Sequence, residues 1–513
     1  MIGASRELTV VRIPLRSAKH HFGVSVSRGT RPYNEDTYQA GTLEIPAFAR
    51  RAPISLSRKG PNATVSGGTS ADGASGDPQV FYFGIFDGHG GNECSDFLRE
   101  ELHTYLENTA STFGLGSSLK KGRTNEPRDI GGAGEEADVQ NVLSAKGKEA
   151  LDGVNIQGKE EVESKLNIPV EDEHGRLGQP PTNPALKSEA AVSIEANKPK
   201  AVELQKTLVA QWKDTVGGYF RRFKPEYFST PQTGKEPAPG EALVSIETVI
   251  MYAFLKADLE FITAQARKPD NNSGDMPLNN DEILGKPSQL PKTSHQIGGP
   301  KRFVGGSTAS IAMISTPTPT PFWHPASPST LLVAHVGDTR ILLCETATGI
   351  AKPVTTNHHP SSPVEGNRLR RYAATFVTDS FGEERMSGLA NTRAFGDMRS
   401  KRIGVSAEPE ICRVELSPAE YSFIVLVSDG VSGTLSDQEI VDVVKEAKTP
   451  EQGSRDVVSF ATEVSKEGDN ATCLVVRLGG WERRIEGGMG SMGTKEVRDF
   501  RKRDALDPRR KRT

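Results

Sequence analysis

Carboxylates stand at the ends of apolar runs in three distant parts of the chain. The three are Asp87, Asp429 and Asp469, and the adjoining runs are 81–86, 421–428 and 473–478. Runs of this composition, bounded by glycine or asparagine, predict strands that are buried on both faces. Carboxylates gathered in one site repel each other unless cations lie between them. Because hard divalent cations prefer oxygen ligands, the pattern predicts a site for such ions.

Asp87 opens the glycine-rich segment 87–91, which reads Asp-Gly-His-Gly-Gly. Glycine permits positive φ angles and lets a ligand approach the backbone, so the Gly88 carbonyl is a candidate oxygen ligand. His89 titrates near neutral pH, which suits an acid that protonates a leaving oxygen. Taken alone, the segment fits equally well a strand followed by a polar turn.

A second polar segment, residues 28–38, carries Arg31, Glu35 and Asp36 in a predicted turn. A guanidinium binds phosphate oxygens in a bidentate manner, and the two adjacent acids could form a carboxylate pair beside a metal. The alternative for this segment is a surface patch of salt bridges, which stabilises a protein little. Two cations that share a carboxylate and a bridging water would form a centre able to hydrolyse a phosphate ester. No cluster of histidines and cysteines with zinc spacing competes with this interpretation.

Predicted strands and helices surround these candidate residues. Alternating or continuous apolar runs predict strands at 22–27, 81–86, 305–315, 421–428 and 473–478, and a further pair within 331–344 joined at 337–339. Apolar residues at helical spacing predict helices at 94–109, 201–223, 241–267, 363–372 and 435–446. The broad apolar stripes of 201–223 and 241–267 indicate that these two helices pack against a sheet.

Length and composition limit the possible classes of protein. The 513 residues include 35% hydrophobic residues and 51 glycines, enough for a sizeable core in part of the chain. The net charge of -3 gives no overall argument for binding nucleic acid, and no apolar run approaches the ~18 residues of a membrane span. The four separated cysteines indicate free thiols in a reducing compartment. Polar composition predicts insertions at about 41–78, 111–200 and 268–301, with short helices near 138–150 in the second.

The two ends of the chain differ from the rest. Residues 1–21 carry several basic residues among apolar ones and a single acid, Glu7, which is typical of a mitochondrial transit segment. The alternative is that Leu8–Leu15 forms the first strand of the fold. Residues 481–513 are rich in glycine and then in charge, which predicts a flexible solvated tail. A nuclear signal or a patch for an acidic partner is the alternative for this tail.

Eight motifs in this order resemble the metal-dependent protein phosphatase family, type 2C, and together they span residues 22–478. They are R-x-x-x-E-D at 31–36, D-G-H-G-G at 87–91, G-S-T-A at 306–309, V-G-D-T-R at 336–340, L-A-N-T-R-A-F-G-D at 389–397, E-P-E at 408–410, S-D-G at 428–430 and G-D-N-A-T at 468–472. The segment 253–261 also follows the family pattern. The resemblance implies an α+β fold, in which two antiparallel sheets pack face to face between layers of helices. The insertions and the N-terminal segment resemble, in particular, those of fungal members with a mitochondrial address.

The resemblance also implies an activity, which is hydrolysis of phosphoserine and phosphothreonine in proteins with Mg²⁺ or Mn²⁺. Water would attack phosphorus directly, without a phosphoenzyme. Asp87 would bridge two metal ions, with Asp429 and Asp469 completing one metal site. The other site would be held by Glu35 and the Gly88 carbonyl, partly through water.

The remaining roles follow from the same resemblance. Arg31 would bind the phosphate and His89 would be the general acid. Asp338 matches an acid that, with Asp429, serves a weaker third metal in many members. One departure concerns that third metal, because Gly433 stands where the family usually has a further acid.

Other functions remain alternatives to the enzyme. A pseudophosphatase would bind a kinase or a phosphoprotein as a scaffold without turnover, and Gly433 is the feature that favours it. An interaction protein whose working part is the insertion 111–200 is a third possibility. For the enzyme, the expected partners are phosphoprotein substrates, with no nucleic acid and no membrane span. The expected state is a monomer, in mitochondria or the cytoplasm.

Overall fold

The computed structural model of the chain describes residues 21–51, 76–119, 189–228, 244–268, 297–370, 376–378, 384–386, 389–465, 468–485 and 490–506. The described residues up to 119 and from 192 onward form one compact unit. The predicted transit segment, the short helices near 138–150 and most of the three predicted insertions lie outside the described residues. In the described part of the chain, no helix is both long enough and apolar enough to cross a bilayer.

Two five-stranded antiparallel sheets form the centre of the fold. The first sheet has the order β13-β7-β6-β3-β2, formed by Glu410–Leu416, Ser329–Val336, Ala309–Ser315, Val80–Phe86 and Thr37–Leu43. The second has the order β1-β15-β14-β8-β9, formed by Phe22–Ser27, Ala471–Arg477, Tyr421–Val427, Arg340–Glu345 and Ala351–Pro353. The central strands are buried on both faces, which explains why their sequences are continuous apolar runs rather than alternating ones.

Successive side chains of a strand point to opposite faces, so each sheet has two faces with different neighbours. The inner faces of the two sheets pack against each other. One apolar cluster combines Ile85 and Val333 of the first sheet with Leu343 and Ile424 of the second. The outer face of the first sheet is covered by α1 (Glu93–Phe113) and α3 (Ile246–Ala266), which share a second cluster with it. The outer face of the second sheet is covered by α6 (Asp437–Glu446) and α7 (Pro450–Val464). These layers confirm the predicted α+β sandwich flanked by helices.

The remaining elements are short or lie at the periphery. They are α2 (Glu189–Thr215), α4 (Pro363–Arg370), α5 (Asp429–Ser432), α8 (Gly490–Ala505), a hairpin of β10 (Phe376–Thr378) and β11 (Glu384–Met386), and 3₁₀ helices at 218–222, 398–403 and 481–483. A three-stranded ribbon of β12 (Phe395–Gly396), β5 (Gly306–Ser307) and β4 (Gly88–His89) connects three of the sequence motifs. The predicted helices and strands therefore exist, mostly with ends that shift by a few residues. The helix predicted at 201–223 instead begins at Glu189 and ends at Thr215, before the 3₁₀ helix at 218–222, and the strand predicted at 305–315 is divided into β5 and β6.

The turn at Gly337 and Asp338 joins β7 to β8, as predicted, but these two strands belong to different sheets. Gly337 has a φ of 112° in the left-handed region, and a Cβ there would lie 2.5 Å from a methyl carbon of Thr308. Glycine is therefore required at this crossing on both conformational and steric grounds. The crossing carries Asp338 to the edge where both sheets end.

The start of the first predicted insertion and the predicted flexible tail differ from the structure. β2 continues to Leu43 and residues 47–49 are buried, so the first insertion begins later than residue 41. The tail is not flexible throughout, since α8 occupies Gly490–Ala505. Its basic side chains bind acids of α6 and α7, with Arg501–Glu439 at 2.9 Å and Lys502–Glu463 at 2.5 Å. Ion pairs with distant residues thus stabilise a helix that lacks an apolar stripe.

Candidate metal centre

Three carboxylates meet where the two sheets end. Asp87 follows β3, Asp429 is the first residue of α5 and is separated from β14 by one residue, and Asp338 lies in the turn between β7 and β8. Each offers one carboxylate oxygen, and these three oxygens lie within 4.8 Å of one another. The side chains are only partly buried, so an ion from solvent can reach them. The structure therefore brings together three of the acids that the sequence analysis selected.

Asp36 lies behind this group and is 5% exposed. One of its carboxylate oxygens accepts a hydrogen bond of 2.7 Å from the hydroxyl of Thr472. The other oxygen, Oδ1, is buried and has no hydrogen-bond partner among the described residues. A buried carboxylate oxygen without a partner is costly unless a cation or water satisfies it. This oxygen and the all-carboxylate donor set fit a hard divalent cation.

The raised pKa values of these acids also indicate a cation site. Burial, with added repulsion from Asp338 and Asp469, raises the pKa of Asp429 to about 8. Burial, partly offset by hydrogen bonds, raises the pKa of Asp36 to about 6. Burial and the charge of Asp429 raise the pKa of Asp87 as well. Without a cation the group holds protons near neutral pH, so binding of a cation must displace them.

The metal-free protein should become less stable as pH rises from about 4 to about 8. Between the unfolded pKa of an aspartate and the raised folded values of Asp36 and Asp429, the folded state binds more protons than the unfolded state. Its free energy of unfolding therefore falls with pH in this window. Thermal melting in EDTA should show that the wild type loses more Tm between pH 6 and 8 than Asp429→Asn does. Equal losses in the two proteins would contradict the assignment.

The other predicted ligands surround the group of three without joining it. The Glu35 side chain accepts a hydrogen bond from the backbone N–H of Gly91. Gly88 packs so closely that a Cβ on it would lie 2.6 Å from the Glu35 carbonyl oxygen. Asp469 pairs with Arg31, whose Nη2 lies 2.8 Å from its Oδ2. The charge of Asp469 still reaches Asp429 and contributes to the raised pKa of that residue.

Arg31 and His89, the two predicted non-metal residues, stand at the rim. The Arg31 side chain is 50% exposed, with one end of its guanidinium anchored by Asp469. His89 is 37% exposed, and its Nε2 lies 2.9 and 3.0 Å from the two oxygens of Asp397. Partial burial lowers the pKa of His89, but the charge and hydrogen bond of Asp397 outweigh this and raise it above 6.5. The protonated imidazolium is thus stabilised at the rim.

Asp397 was not selected from the sequence as a site residue, although it ends a quoted motif. It has a φ of 45°, which is uncommon for a residue other than glycine, and such strain persists only where surrounding contacts enforce it. Asp258 of α3 supplies one such contact by accepting the Gly396 N–H at 2.9 Å. Lys401 supplies another by donating to the Ala394 carbonyl at 2.7 Å, and it pairs with Asp258. The only signal in the sequence was an acid after glycine in Phe395-Gly-Asp397.

Comparison with known proteins gives concordant results. A family model described as protein phosphatase 2C matches residues 261–470. Protein phosphatase 2C homolog 4 of Schizosaccharomyces pombe is 27% identical over 475 residues, which cover 92% of this chain and 84% of that protein. Mitochondrial protein phosphatase 1K of Xenopus laevis is 36% identical over 152 residues, which cover 29% of this chain and 40% of that protein.

Among solved structures, a serine-threonine phosphatase 2C from Toxoplasma gondii aligns with a TM-score of 0.44 and 14% identity, over 89% of this chain and 94% of that chain. The residues matched by the family model include Asp338, Asp429 and Asp469. The motifs, the arrangement of the acids and the sequence comparisons agree with one another. Residues 261–470 therefore match the protein phosphatase 2C family, and the chain is similar over most of its length to a protein of that name.

Proposed function

We propose that this protein hydrolyses phosphoserine and phosphothreonine in proteins, with Mg²⁺ or Mn²⁺ and by direct attack of water. The observation that carries the proposal is the group of Asp87, Asp338 and Asp429, whose carboxylate oxygens lie within 4.8 Å of one another. Two cations would be held by Asp87, Asp429, Asp469, Glu35 and the Gly88 carbonyl, with Asp36 behind them. When bound, such cations lower the pKa of a water and offset the charge on the phosphoryl oxygens.

The chain's own residues orient the phosphate and move the proton. Arg31 presents the exposed part of a guanidinium to phosphate oxygens while Asp469 fixes its other end. His89 carries the proton for the leaving serine or threonine oxygen. Because Nε2 is held by Asp397, the transfer would take place from Nδ1. Asp397 thus both sets the orientation of the ring and favours its protonated form.

The weaker third ion has fewer ligands here. Asp338 and Asp429 are close together, as such a site needs, but Gly433 offers no carboxylate. Gly433 has a φ of -72° and a ψ of -19°, which any residue can adopt, and its N–H donates to the Asp429 carbonyl at 2.7 Å. Its backbone conformation therefore does not require glycine, although a Cβ there would lie 2.9 Å from the Asp429 carbonyl oxygen. We propose two strongly held ions, with a third ion weaker than in relatives that carry the acid.

The pseudophosphatase is the second candidate, and Gly433 is the observation that favours it. Scaffold proteins derived from enzymes are expected to lose the residues of the reaction, whereas here the predicted acids, Arg31 and His89 are all present and surround one edge of the sandwich. The enzyme is therefore the better-supported function.

Hydrolysis of a phosphothreonine peptide by the purified full chain tests the proposal. We expect turnover with Mn²⁺ or Mg²⁺ and none with excess EDTA, since the carboxylates alone have no means of activating water at neutral pH. Circular dichroism in the same buffers serves as the control for folding. A folded protein without turnover under either metal would favour the scaffold.

We also propose the boundaries of the phosphatase domain and the cellular location of the protein. The phosphatase domain is assigned to 22–480 and acts as a monomer, with residues 1–21 as a targeting segment and 481–513 as an appended charged segment. The mitochondrial protein phosphatase 1K of Xenopus laevis is a relative over part of the chain, which supports a mitochondrial rather than a cytoplasmic location. A reporter fused to residues 1–30 separates these two compartments.

A further inference from the structure

The loop 28–35 carries both Arg31 and Glu35, and it is bound to the turn that carries Asp469. The backbone N–H and the hydroxyl of Thr30 both donate to the carbonyl of Gly468, at 2.8 and 3.1 Å. Gly468 has a φ of 66°, and a Cβ on it would lie 2.1 Å from the Thr30 hydroxyl oxygen. The two segments are therefore in close contact, although more than 400 residues separate them in the sequence.

The side chain of Asn470 makes the most extensive connection between these segments. Its Nδ2 donates to the carbonyls of Arg28 and Tyr33, at 3.0 and 3.1 Å. Its Oδ1 accepts the N–H of Glu35 at 2.8 Å. Asn470 is 4% exposed, so these bonds are shielded from water. The carboxamide thus uses both of its N–H groups and its oxygen on backbone atoms of a single loop.

Asn470 is also connected to the metal side of the site. Its backbone N–H donates to Oδ1 of Asp469 at 2.8 Å, while Arg31 binds Oδ2 of the same carboxylate. One residue therefore fixes the position of Asp469 through its backbone and that of the loop through its side chain. The exposed Arg28 guanidinium also binds within this loop, but more weakly. It donates to the carbonyls of Arg31 and Pro32 at 3.3 and 3.1 Å.

We propose that Asn470 is a positioning residue for phosphate binding. Its carboxamide holds the loop 28–35 so that the Arg31 guanidinium and the Glu35 carboxylate keep fixed distances from the strand-end acids. This inference rests on the proposed phosphatase function. It concerns a residue that does not itself touch the phosphate, so its effect on phosphate binding to the Mn²⁺-loaded protein must pass through Arg31.

The alternative is that Asn470 only stabilises the fold, and two variants separate these roles. Asn470→Ala removes all three bonds to the loop, whereas Asn470→Asp keeps the acceptor for the Glu35 N–H and loses both donors. Gln438→Ala is the matched control, because Gln438 also bridges a loop through its carboxamide. Its Nε2 donates to the Gly349 carbonyl at 3.0 Å and its Oε1 accepts the Ala351 N–H at 2.9 Å.

Binding of inorganic phosphate to the Mn²⁺-loaded full chain is the first measurement, by titration calorimetry. We expect Asn470→Ala to weaken phosphate binding about tenfold or more, since small displacements of a positioned group are costly. Gln438→Ala should stay within about twofold of the wild type, as a residue outside the site does. In an Arg31→Ala background, Asn470→Ala should cost no more than about twofold, because the guanidinium through which it acts is gone.

Hydrogen exchange of the metal-free full chain is the second measurement, and it needs neither metal nor turnover. Asn470→Ala should accelerate exchange of peptides that cover residues 28–36 at least tenfold, with the sheet strands unchanged. Asn470→Asp should accelerate it less, since the Glu35 N–H keeps its acceptor. This variant is nearly isosteric, so it carries the test if Asn470→Ala does not fold.

Unchanged exchange at 28–36 in the alanine variant would overturn the proposal. An equal loss of phosphate affinity with and without Arg31 would also overturn it, because a general loss of stability is additive. Failure of the proposed function gives a different result, namely wild-type protein that hydrolyses no phosphopeptide with either metal. If the wild type also binds no phosphate, the proposed role in phosphate binding is overturned, and exchange at residues 28–36 shows only whether Asn470 holds the loop.

Discussion

Asp87→Asn should lower kcat for a phosphothreonine peptide by about 10³-fold, which corresponds to about 4 kcal/mol of transition-state stabilisation. The substitution keeps the size of the side chain and removes one charge from the group of three acids within 4.8 Å. In the proposed mechanism this carboxylate would help to hold both ions, so its loss would weaken both sites at once. The measurement is steady-state hydrolysis at saturating Mn²⁺.

The stability of the same variant should change in the opposite direction. Burial and the charge of Asp429 raise the pKa of Asp87, so in metal-free protein its ionised form is unfavourable. Asp87→Asn removes that repulsion, and its Tm in EDTA should equal or exceed that of the wild type. On adding Mn²⁺, the wild type should gain Tm through binding to the folded state, while the variant should gain little.

A matched control is available in Asp77, which is 4% exposed and accepts the Ala47 N–H at 3.2 Å. Asp77→Asn makes the same chemical change at another buried position and can still accept that hydrogen bond, so kcat should remain within about twofold. Retention of more than a tenth of wild-type kcat by Asp87→Asn would exclude a role of Asp87 in holding both ions. A drop in the Asp77 variant of similar size would show that the loss is structural.

The strand-end acids were predictable because their signals are local. β3 and β14 are mostly apolar runs. Asp87 directly follows β3 and Asp429 is separated from β14 by one residue, so the end of each run locates the acid. Asp338 was predicted at a tight turn between two strands. That this turn crosses from one sheet to the other was not predictable, since nothing in the local sequence shows which strands pair.

The partners of the site residues were missed for a related reason. His89 pairs with Asp397, 308 residues away, and Asn470 binds the Glu35 N–H, 435 residues away. Spacing within a motif carries no information on such contacts, although each of these residues lay inside a motif. The helix α8 was missed because its sequence is mostly charged and lacks an apolar stripe. The contacts of Arg501 and Lys502 that hold it are to acids of other helices, which the local sequence does not indicate.

Lys401→Met should lower the free energy of unfolding by about 3–5 kcal/mol, because it leaves a buried carboxylate without its counter-ion. The Lys401 and Asp258 side chains are both 0% exposed, and their Nζ and Oδ2 atoms lie 2.5 Å apart. Burial raises the pKa of Asp258 to about 6 even with the lysine present, so the unpaired carboxyl would be still harder to ionise. Chemical denaturation followed by circular dichroism measures the loss, which in thermal melting is about 10 °C.

Two comparisons show whether this loss comes from the unpaired acid. Adding Asp258→Asn to Lys401→Met should recover more than half of the stability, because the neutral amide can still accept the Gly396 N–H. Arg455→Met breaks a pair with Glu451 whose side chains are 66% and 69% exposed, and it should cost no more than about 0.5 kcal/mol. Since the buried pair also holds the backbone of Ala394 and Gly396, just before Asp397, folded Lys401→Met should lose kcat, which the Arg455 variant should keep. A Lys401 variant as stable as the wild type would mean that the pair does not support this loop.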